Sequence, residues 1–461
     1  MGILADKKKI HFVGIGGIGM SGLAQLLIQG GYEVSGSDIK SSRLTDKLAA
    51  MGADIRIGHR MGNLKDADLA VCSSCIGYDN EELKAVRDRN IPLIQRGELL
   101  AELLNEKAGI AVAGTHGKTT TSSLISHILF VSGIEPSVAV GAEVHSLGGN
   151  ALFGKGRYFV AEADESDGSF LHLRPVYSVI TNIEREHLDF YGSLEEIMEA
   201  YRKFAANTKE GGCLFVCGDE KNLMEVLSGY KGETAAYGFN ESCDVKAYNV
   251  KYLGCRTEFD CFSKGGFIGR FLLNIPGRHN VLNALAAIAI ALKIGVDKED
   301  IKKALASYNG ARRRFEIKGR INEVMVIEDY AHHPTEIRVT LKAASGLNPK
   351  RIIAVFQPHR YSRTMHLKDL FSDSLSDADY IVLTDIYPAS EKPIKGITSR
   401  LIYEGLIKKK HKEVSLISLD EIVNFIIKIV RPEDIVLIMG AGDVGKVSGE
   451  LVERLKKQNF S

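Results

Sequence analysis

The chain has 461 residues, 59 Lys and Arg against 58 Asp and Glu, 45% hydrophobic and 25% charged residues. That length predicts two to four domains, and the absence of a basic excess removes electrostatic support for nucleic-acid binding. Ten prolines and no long biased tract argue against disorder, and the apolar run 284–292 is far too short to span a membrane, so the expectation is a soluble, cytoplasmic protein without membrane insertion.

Lys7-Lys8-Lys9 before an apolar stretch resembles a signal peptide, but His11 and four glycines by Gly19 interrupt that stretch, which reads as part of a fold. The first strand, 10–13, leads into Gly14-Ile15-Gly16-Gly17-Ile18-Gly19, then a helix over 21–29 and a strand over 33–37 that ends at Asp38. This is the dinucleotide fingerprint in its required context. The loop suits any pyrophosphate and Asp38 suits a ribose hydroxyl, so the pattern specifies a nucleoside diphosphate without specifying a nicotinamide. Alternation of strand and helix continues to about 104. Cys72-Ser-Ser-Cys75 is a C-x-x-C with no matching second pair, and the seven cysteines read as small residues closing buried strands.

A second segment begins near 106. An apolar run, 110–113, precedes Gly114-Thr115-His116-Gly117-Lys118-Thr119-Thr120, and a helical pattern follows over 122–131. Strand, glycine loop, Lys-Thr, helix is the layout of a phosphate-binding loop: glycines let backbone N–H groups wrap a phosphate, and the helix N-terminus adds partial positive charge. Lys118 can neutralise outer phosphates and the Thr119 hydroxyl can hold Mg²⁺. Val112 stands where the longer form of this motif has its first glycine. The strand 157–161 ends in Glu162-Ala163-Asp164-Glu165-Ser166-Asp167, similar to the acidic metal element of such enzymes. The strand 178–181 leads to His187, after the third βα turn of the same sheet. Over 212–273 the pattern changes to short strands and turns. Gly277-Arg278-His279-Asn280 then opens the apolar helix 284–292, with polar residues at its start suited to a base.

The third segment starts near 318. Strands at 324–327 and 352–356 end in Glu328-Asp329-Tyr330-Ala331-His332-His333-Pro334 and Gln357-Pro358-His359-Arg360-Tyr361-Ser362-Arg363. Arginine forks past strand ends bind carboxylates and phosphates. Strands at 380–383 and 435–439 follow; the latter precedes a second G-x-G-x-x-G, Gly440 to Gly445, which lacks a following strand with an acid and reads as a decoy. A nicotinamide-dependent dehydrogenase accounts for the first segment alone, and a P-loop switch for the second alone. A ligase that uses ATP to join two further substrates needs three stations.

Together these residues closely resemble the Mur ligase family over essentially the whole chain. Gly14-Ile-Gly-Gly-Ile-Gly-Met-Ser-Gly-Leu-Ala24 looks like its uridine-diphosphate loop, and Gly114 to Thr121 matches the family's short ATP loop, Val112 included. Glu162 to Asp167 and His187-Leu-Asp-Phe-Tyr191 match its magnesium elements, Gly277 to Asn283 its adenine turn, and Arg312-Arg-Arg-Phe-Glu316 the turn that sets an arginine, Arg314 in register, on the γ-phosphate. The resemblance implies an α/β fold of three domains: a Rossmann-like UDP-sugar-binding domain, 1–105; a central P-loop-type ATPase domain, 106–317; and a Rossmann-like amino-acid-binding domain, 318–461. It assigns Gly14, Gly16, Gly17, Ile18, Gly19, Asp38, Ser73 and Ser74 to the UDP-sugar. To ATP it assigns Gly114, Thr115, His116, Gly117, Lys118, Thr119, Thr120, His279, Asn280, Asn283, Arg314 and Asp329. Tyr330, His332, Arg360 and Arg363 fall to the amino acid, and Thr119, Glu162 and His187 to two Mg²⁺ ions. The residues implied in catalysis are Lys118, His187, Arg314, His332, Arg360 and Arg363.

Within the family the match is to the branch that joins L-alanine to the lactyl carboxylate of UDP-N-acetylmuramate with ATP, through an acyl phosphate. Its rival is the recycling branch, which adds a tripeptide. Several sister ligases carry a carbamate-forming lysine about 14 residues after the metal histidine; here Tyr201 holds that register, with Lys203 two positions on, and the alanine-adding branch generally lacks that lysine. Monomer and homodimer both remain open.

Overall fold

A run of parallel strands joined by helices opens the chain: β1 (Lys9–Val13), α1 (Ile18–Gln29), β2 (Glu33–Asp38), α2 (Arg43–Ala50), β3 (Asp54–Ile57), β4 (Leu69–Cys72), α3 (Glu81–Asp88), β5 (Leu93–Gln95) and α4 (Arg96–Asn105). The five strands form one parallel sheet in the order β3-β2-β1-β4-β5. The order reverses between β1 and β4, the place where open parallel sheets bind ligands. Local chemistry sets the helix starts: Ser42 caps α2 in a reciprocal pair with Thr45, and the Asn80 side chain accepts from the N–H groups of Glu82 and Leu83 at the head of α3. This computed structural model describes residues 2–411 and 413–457, and all their side chains except those of Leu188 and Asp189 in the His187 motif.

The second sheet has ten strands: β6 (Ala108–Ala113), β7 (Ser137–Val144), β8 (Gly149–Leu152), β9 (Tyr158–Glu162), β10 (Tyr177–Ile180), β11 (Cys213–Cys217), β12 (Glu233–Gly238), β13 (Val245–Leu253), β14 (Arg256–Ser263) and β15 (Gly266–Leu273). Their order is β15-β14-β13-β12-β11-β10-β6-β9-β7-β8. The helices are α5 (Lys118–Val131), α6 (Leu188–Tyr191), α7 (Leu194–Ala206), α8 (Lys221–Val226), α9 (Arg278–Ile294) and α10 (Lys298–Ser307). β6 reads Ala-Gly-Ile-Ala-Val-Ala and is buried from Gly109 onward, as expected of a parallel strand covered on both faces.

The third sheet contains β16 (Glu316–Ile321), β17 (Val324–Asp329), β18 (Arg351–Phe356), β19 (Tyr380–Leu383), β20 (Val414–Leu416) and β21 (Asp434–Met439), in the order β16-β17-β21-β18-β19-β20. Only the β16–β17 pair is antiparallel. Its helices are α11 (Pro334–Ser345), α12 (Tyr361–Leu375), α13 (Arg400–Lys408), α14 (Ile422–Ile429) and α15 (Gly445–Lys456). Alternate residues supply two cores: Ile352, Ala354, Phe356 and Leu437 face one side, and Ile353, Val355, Val436 and Ile438 the other. By its internal packing the chain divides into two compact units. One comprises Met1–Asn249, Phe259–Leu272 and Leu282–Asn309; the other comprises Val250–Glu258, Leu273–Val281 and Gly310–Ser461.

Three helices begin earlier than the periodicity predicts. α1, α5 and α9 start at Ile18, Lys118 and Arg278; α5 and α9 open on polar residues that carry no apolar signal, and α1 opens on Ile18 and Gly19 within the glycine loop itself. The cysteines are all thiols, and four are buried on strands; Cys243 is buried just before β13, Cys75 is exposed and Cys255 half-buried, so the buried-strand reading fails at those three. Among the described residues, no helix is long and apolar enough to cross a membrane.

Candidate active site

Because β10, β6 and β9 are neighbours in the second sheet, their carboxyl ends bring three turns together. The turn after β6 is the glycine loop. Gly114 has φ +132°, and a Cβ there would stand 1.9 Å from Thr181 Oγ1; Gly117, at φ +79°, caps α5 in the left-handed region. Thr181 Oγ1 donates to His116 O at 2.6 Å, Asn182 Nδ2 to the same oxygen at 3.0 Å, and His116 N to Asn182 Oδ1 at 2.8 Å. The turn after β10 thus pins the loop, a role for Thr181 and Asn182 that no motif signals. Asn283 Oδ1 accepts from Thr121 at 3.1 Å and lies against Gly117, so it buttresses the start of α5.

Lys118 Nζ donates to Gly114 O at 2.6 Å and Thr115 O at 3.2 Å, and pairs with Glu165 at 2.8 Å. Burial alone would lower the ammonium's pKa, but Glu165, Asp164 and Glu162 outweigh it and raise it, so the lysine is cationic at neutral pH. Burial pushes the Glu165 carboxyl up to about 7 against the pull of Lys118. Thr119 Oγ1 donates to Glu162 Oε2 at 2.9 Å, and Gly141 N donates to the same oxygen at 2.8 Å. A hydroxyl and a carboxylate on adjoining turns form a hard oxygen pair that fits Mg²⁺. His187 adopts φ +53° and its Nε2 stands 3.7 Å from Glu165 Oε1. Tyr191 Oη caps the Glu165 carbonyl. Tyr201 is fully buried, edge-on to Phe170 with ring centroids 5.4 Å apart, and Lys203 is exposed, so the register of the sister lysine is a core aromatic.

In the first sheet the turns after β1, β2 and β4 converge. Gly14 and Ile15 N–H groups donate to Ser37 O, and Gly16 N donates to Asp38 Oδ2 at 2.8 Å. A Cβ on Gly14 would stand 3.2 Å from Ser73 Cβ. Gly17 caps α1, the Ile18 side chain is exposed, and Ser74 is exposed beside Ser73. Gly19 lies against Arg96, a residue the sequence reading passed over although it follows a strand end as Arg360 does. Below this mouth, buried Glu82 accepts from Ser37, Asn63 and Arg60 N, with His11 and His59 beside it. Burial would raise the pKa of this carboxyl, but the bonds from His11, Ser37 and Asn63 prevail and hold it at about 2.

In the second unit, Arg313 donates to Gly440 O at 2.7 Å and Gly442 O at 3.0 Å and pairs with Glu328 at 2.8 Å. The late G-x-G-x-x-G is therefore an anchor for Arg313. Arg314 stands 5.0 Å over the Tyr330 ring. Asp329 is buried and accepts from Phe315 N and Ala331 N, each at 2.7 Å; burial pushes it up to about 6 against the pull of Arg314. His332 Nδ1 lies 2.9 Å from Tyr330 O, which places a proton on that nitrogen, and 3.3 Å from Glu336 Oε2. The rings of His332, His359 and Tyr387 follow one another at 5.6 Å spacings, and Arg363 Nη1 reaches His359 Nδ1 at 3.1 Å. Arg360 sits at φ +70° at the head of α12, a strained position of the kind that gathers at ligand sites. Tyr330, His332, Arg360 and Arg363 thus gather past β17 and β18. Asn280 bonds Pro276 O at 2.6 Å, and desolvation pushes the His279 imidazole down to about 4.

Three family models match the chain in order: the Mur ligase family, catalytic domain, over residues 9–108; the Mur ligase middle domain over 112–291; and the Mur ligase, glutamate ligase domain over 313–442. The chain is 46% identical to the UDP-N-acetylmuramate–L-alanine ligase of Pelotomaculum thermopropionicum, covering 98% of this chain and 99% of that protein. It is 45% identical to the ligase of the same name from Geobacter sulfurreducens, covering 96% of each. Among solved structures it is similar to the UDP-N-acetylmuramate–alanine ligase of Thermotoga maritima, with a TM-score of 0.84, 31% identity, and 98% and 100% of the two chains covered. A murein peptide ligase from Psychrobacter arcticus aligns with a TM-score of 0.73 at 26% identity, over 98% of this chain and all of that one.

Proposed function

The chain belongs to the Mur ligase family, and from that premise we propose that it joins L-alanine to the lactyl carboxylate of UDP-N-acetylmuramate with conversion of ATP to ADP and phosphate. The observation that carries the reading is Lys118, Thr119 and Glu162 on adjacent turns, in a chain that matches L-alanine ligases over nearly its full length. A carboxylate does not condense directly with an amine at neutral pH, because oxide is a poor leaving group. ATP supplies the activation: the carboxylate takes the γ-phosphoryl group, and alanine's amine then attacks the acyl phosphate with loss of phosphate.

The chain's own residues act by charge and alignment. Lys118, cationic and already seated under its loop, neutralises the β- and γ-phosphates, and the N–H groups at the head of α5 cradle them. Thr119 and Glu162 would hold a Mg²⁺ ion, which spreads phosphate charge when bound; His187 would serve a second. Neutral imidazole is an unusual Mg²⁺ ligand, so that role rests on the family. Gly14, Gly16, Gly17, Gly19, Asp38 and Ser73 take the sugar nucleotide. In the second unit, Arg314 draws charge at the transferring phosphoryl group, while His332, Arg360 and Arg363 orient the alanine carboxylate.

The decisive assay is phosphate release with ATP, Mg²⁺, UDP-N-acetylmuramate and one amino acid at a time. Release that depends on L-alanine is the expected result. Release with a tripeptide and not with alanine would move the chain to the recycling branch, and no amino-acid-dependent release at all would end the reading.

A further inference from the structure

Arg96 opens α4 directly after β5, so its side chain leaves the carboxyl end of the first sheet. Two glycines seat it. A Cβ on Gly19, in the first turn of α1, would stand 3.1 Å from Arg96 Cδ and 3.3 Å from Nη1, so the arginine lies across that turn at contact distance. A Cβ on Gly97 would stand 2.3 Å from Ser169 Cβ, so α4 is pressed against the turn that follows Asp167. The guanidinium then faces the acidic turn after β9: Nη2 is 3.5 Å from Asp164 Oδ2 and 3.7 Å from Asp167 Oδ2. Both distances exceed the roughly 2.7–2.9 Å of a close charge-assisted bond. The side chain is 21% exposed, so it remains open to a ligand at the mouth.

A planar fork of donors held loosely by two carboxylates, and laid over the first turn of a glycine-loop helix, is suited to exchange those carboxylates for an incoming anion. We propose that Arg96 is a substrate-binding residue of the sugar-nucleotide station, its guanidinium taking an oxyanion of that substrate in place of its long contacts to Asp164 and Asp167. The oxyanion belongs either to the diphosphate or to the lactyl carboxylate, and the two share the chemistry of a bidentate anion. Gly97 serves the same purpose by letting α4 approach closely enough to set the arginine between the two stations.

The inference rests on the ligase reading, so its test has an arm that needs no turnover. Calorimetric binding of UDP-N-acetylmuramate, UDP-N-acetylglucosamine and UDP is compared between the wild-type chain and R96A, R96K and R96Q, alongside steady-state kinetics. R96A is expected to weaken UDP-N-acetylmuramate binding, and raise its KM, roughly 10- to 100-fold while the KM for ATP stays within about twofold. R96K is expected to recover part of the loss. A matching loss for UDP assigns the contact to the diphosphate, and a loss confined to the lactyl-bearing substrate assigns it to the carboxylate. Wild-type affinity for UDP-N-acetylmuramate in R96A overturns the inference, as does an equal rise in both KM values with a lowered unfolding midpoint, the mark of a packing role. Should R96A not fold, R96Q keeps the stem over Gly19 without the charge, and wild-type affinity there overturns it equally. Absence of alanine-dependent phosphate release in the wild type fails the ligase reading instead, and leaves the binding arm to decide on Arg96.

Discussion

Lys118 is held by two carbonyls of its own loop and by Glu165, so its ammonium is placed before any phosphate arrives. Lys118→Ala should therefore lose transition-state stabilisation of roughly 3 kcal/mol, the scale of one preorganised electrostatic donor, read as a fall in kcat/KM; near-normal turnover would remove Lys118 from the mechanism. Gly114→Ala meets both a φ of +132° and an oxygen 1.9 Å from the new methyl. It should distort the loop at a cost of about 1–3 kcal/mol and abolish ATP binding, and an unchanged ATP affinity would show the loop to be more plastic than its geometry. Glu82 makes a pH-dependent prediction. Its folded pKa of about 2 lies below the ordinary 4.5, so its contribution is complete above 4.5 and fades as pH falls towards 2. The shift corresponds to about 3 kcal/mol, and Glu82→Gln should forfeit a large part of it at pH 7. The difference in urea midpoint between the two proteins should narrow between pH 5 and pH 3; a constant difference would refute the argument.

At the scale of elements, the glycine loops were legible because each is local. An apolar strand, a glycine obliged to a positive φ and a following helix occupy one short stretch of chain, and Gly114, Gly117 and Gly14 have the positive φ values the pattern requires. The helix starts were misjudged by several residues at α5 and α9, where the first turn is polar. What helices press against was not legible at all. Gly97 belongs to no sequence motif, yet it is the contact point of α4, where a methyl group would stand 2.3 Å from Ser169 Cβ and 2.8 Å from its Oγ. Gly97→Ala should lower stability by about 1–3 kcal/mol, the range for overpacking, visible as a lower thermal midpoint; an unchanged midpoint would mean that α4 can slide.

At the scale of the molecule, the second unit carries its own cores. Both clusters that flank the third sheet draw only on residues between Phe315 and Leu455. A fragment spanning 310–461 should thus fold by itself, with a cooperative urea transition by circular dichroism, and a flat, non-cooperative trace would show that it depends on the rest of the chain. The sequence alone determined the family and the places where an apolar strand runs into a glycine loop, since these follow from short-range patterns of apolar, glycine and charged residues. Only the tertiary structure decided which charges meet. Lys118 pairs with Glu165 across 47 positions and Arg96 reaches Asp164 across 68, because β10, β6 and β9 are neighbours and α4 is drawn in at Gly97. Periodicity along a chain carries no record of which distant strand ends lie side by side. For that reason the glycine loops could be read from residues, whereas the residues that hold Lys118 and seat Arg96 could not.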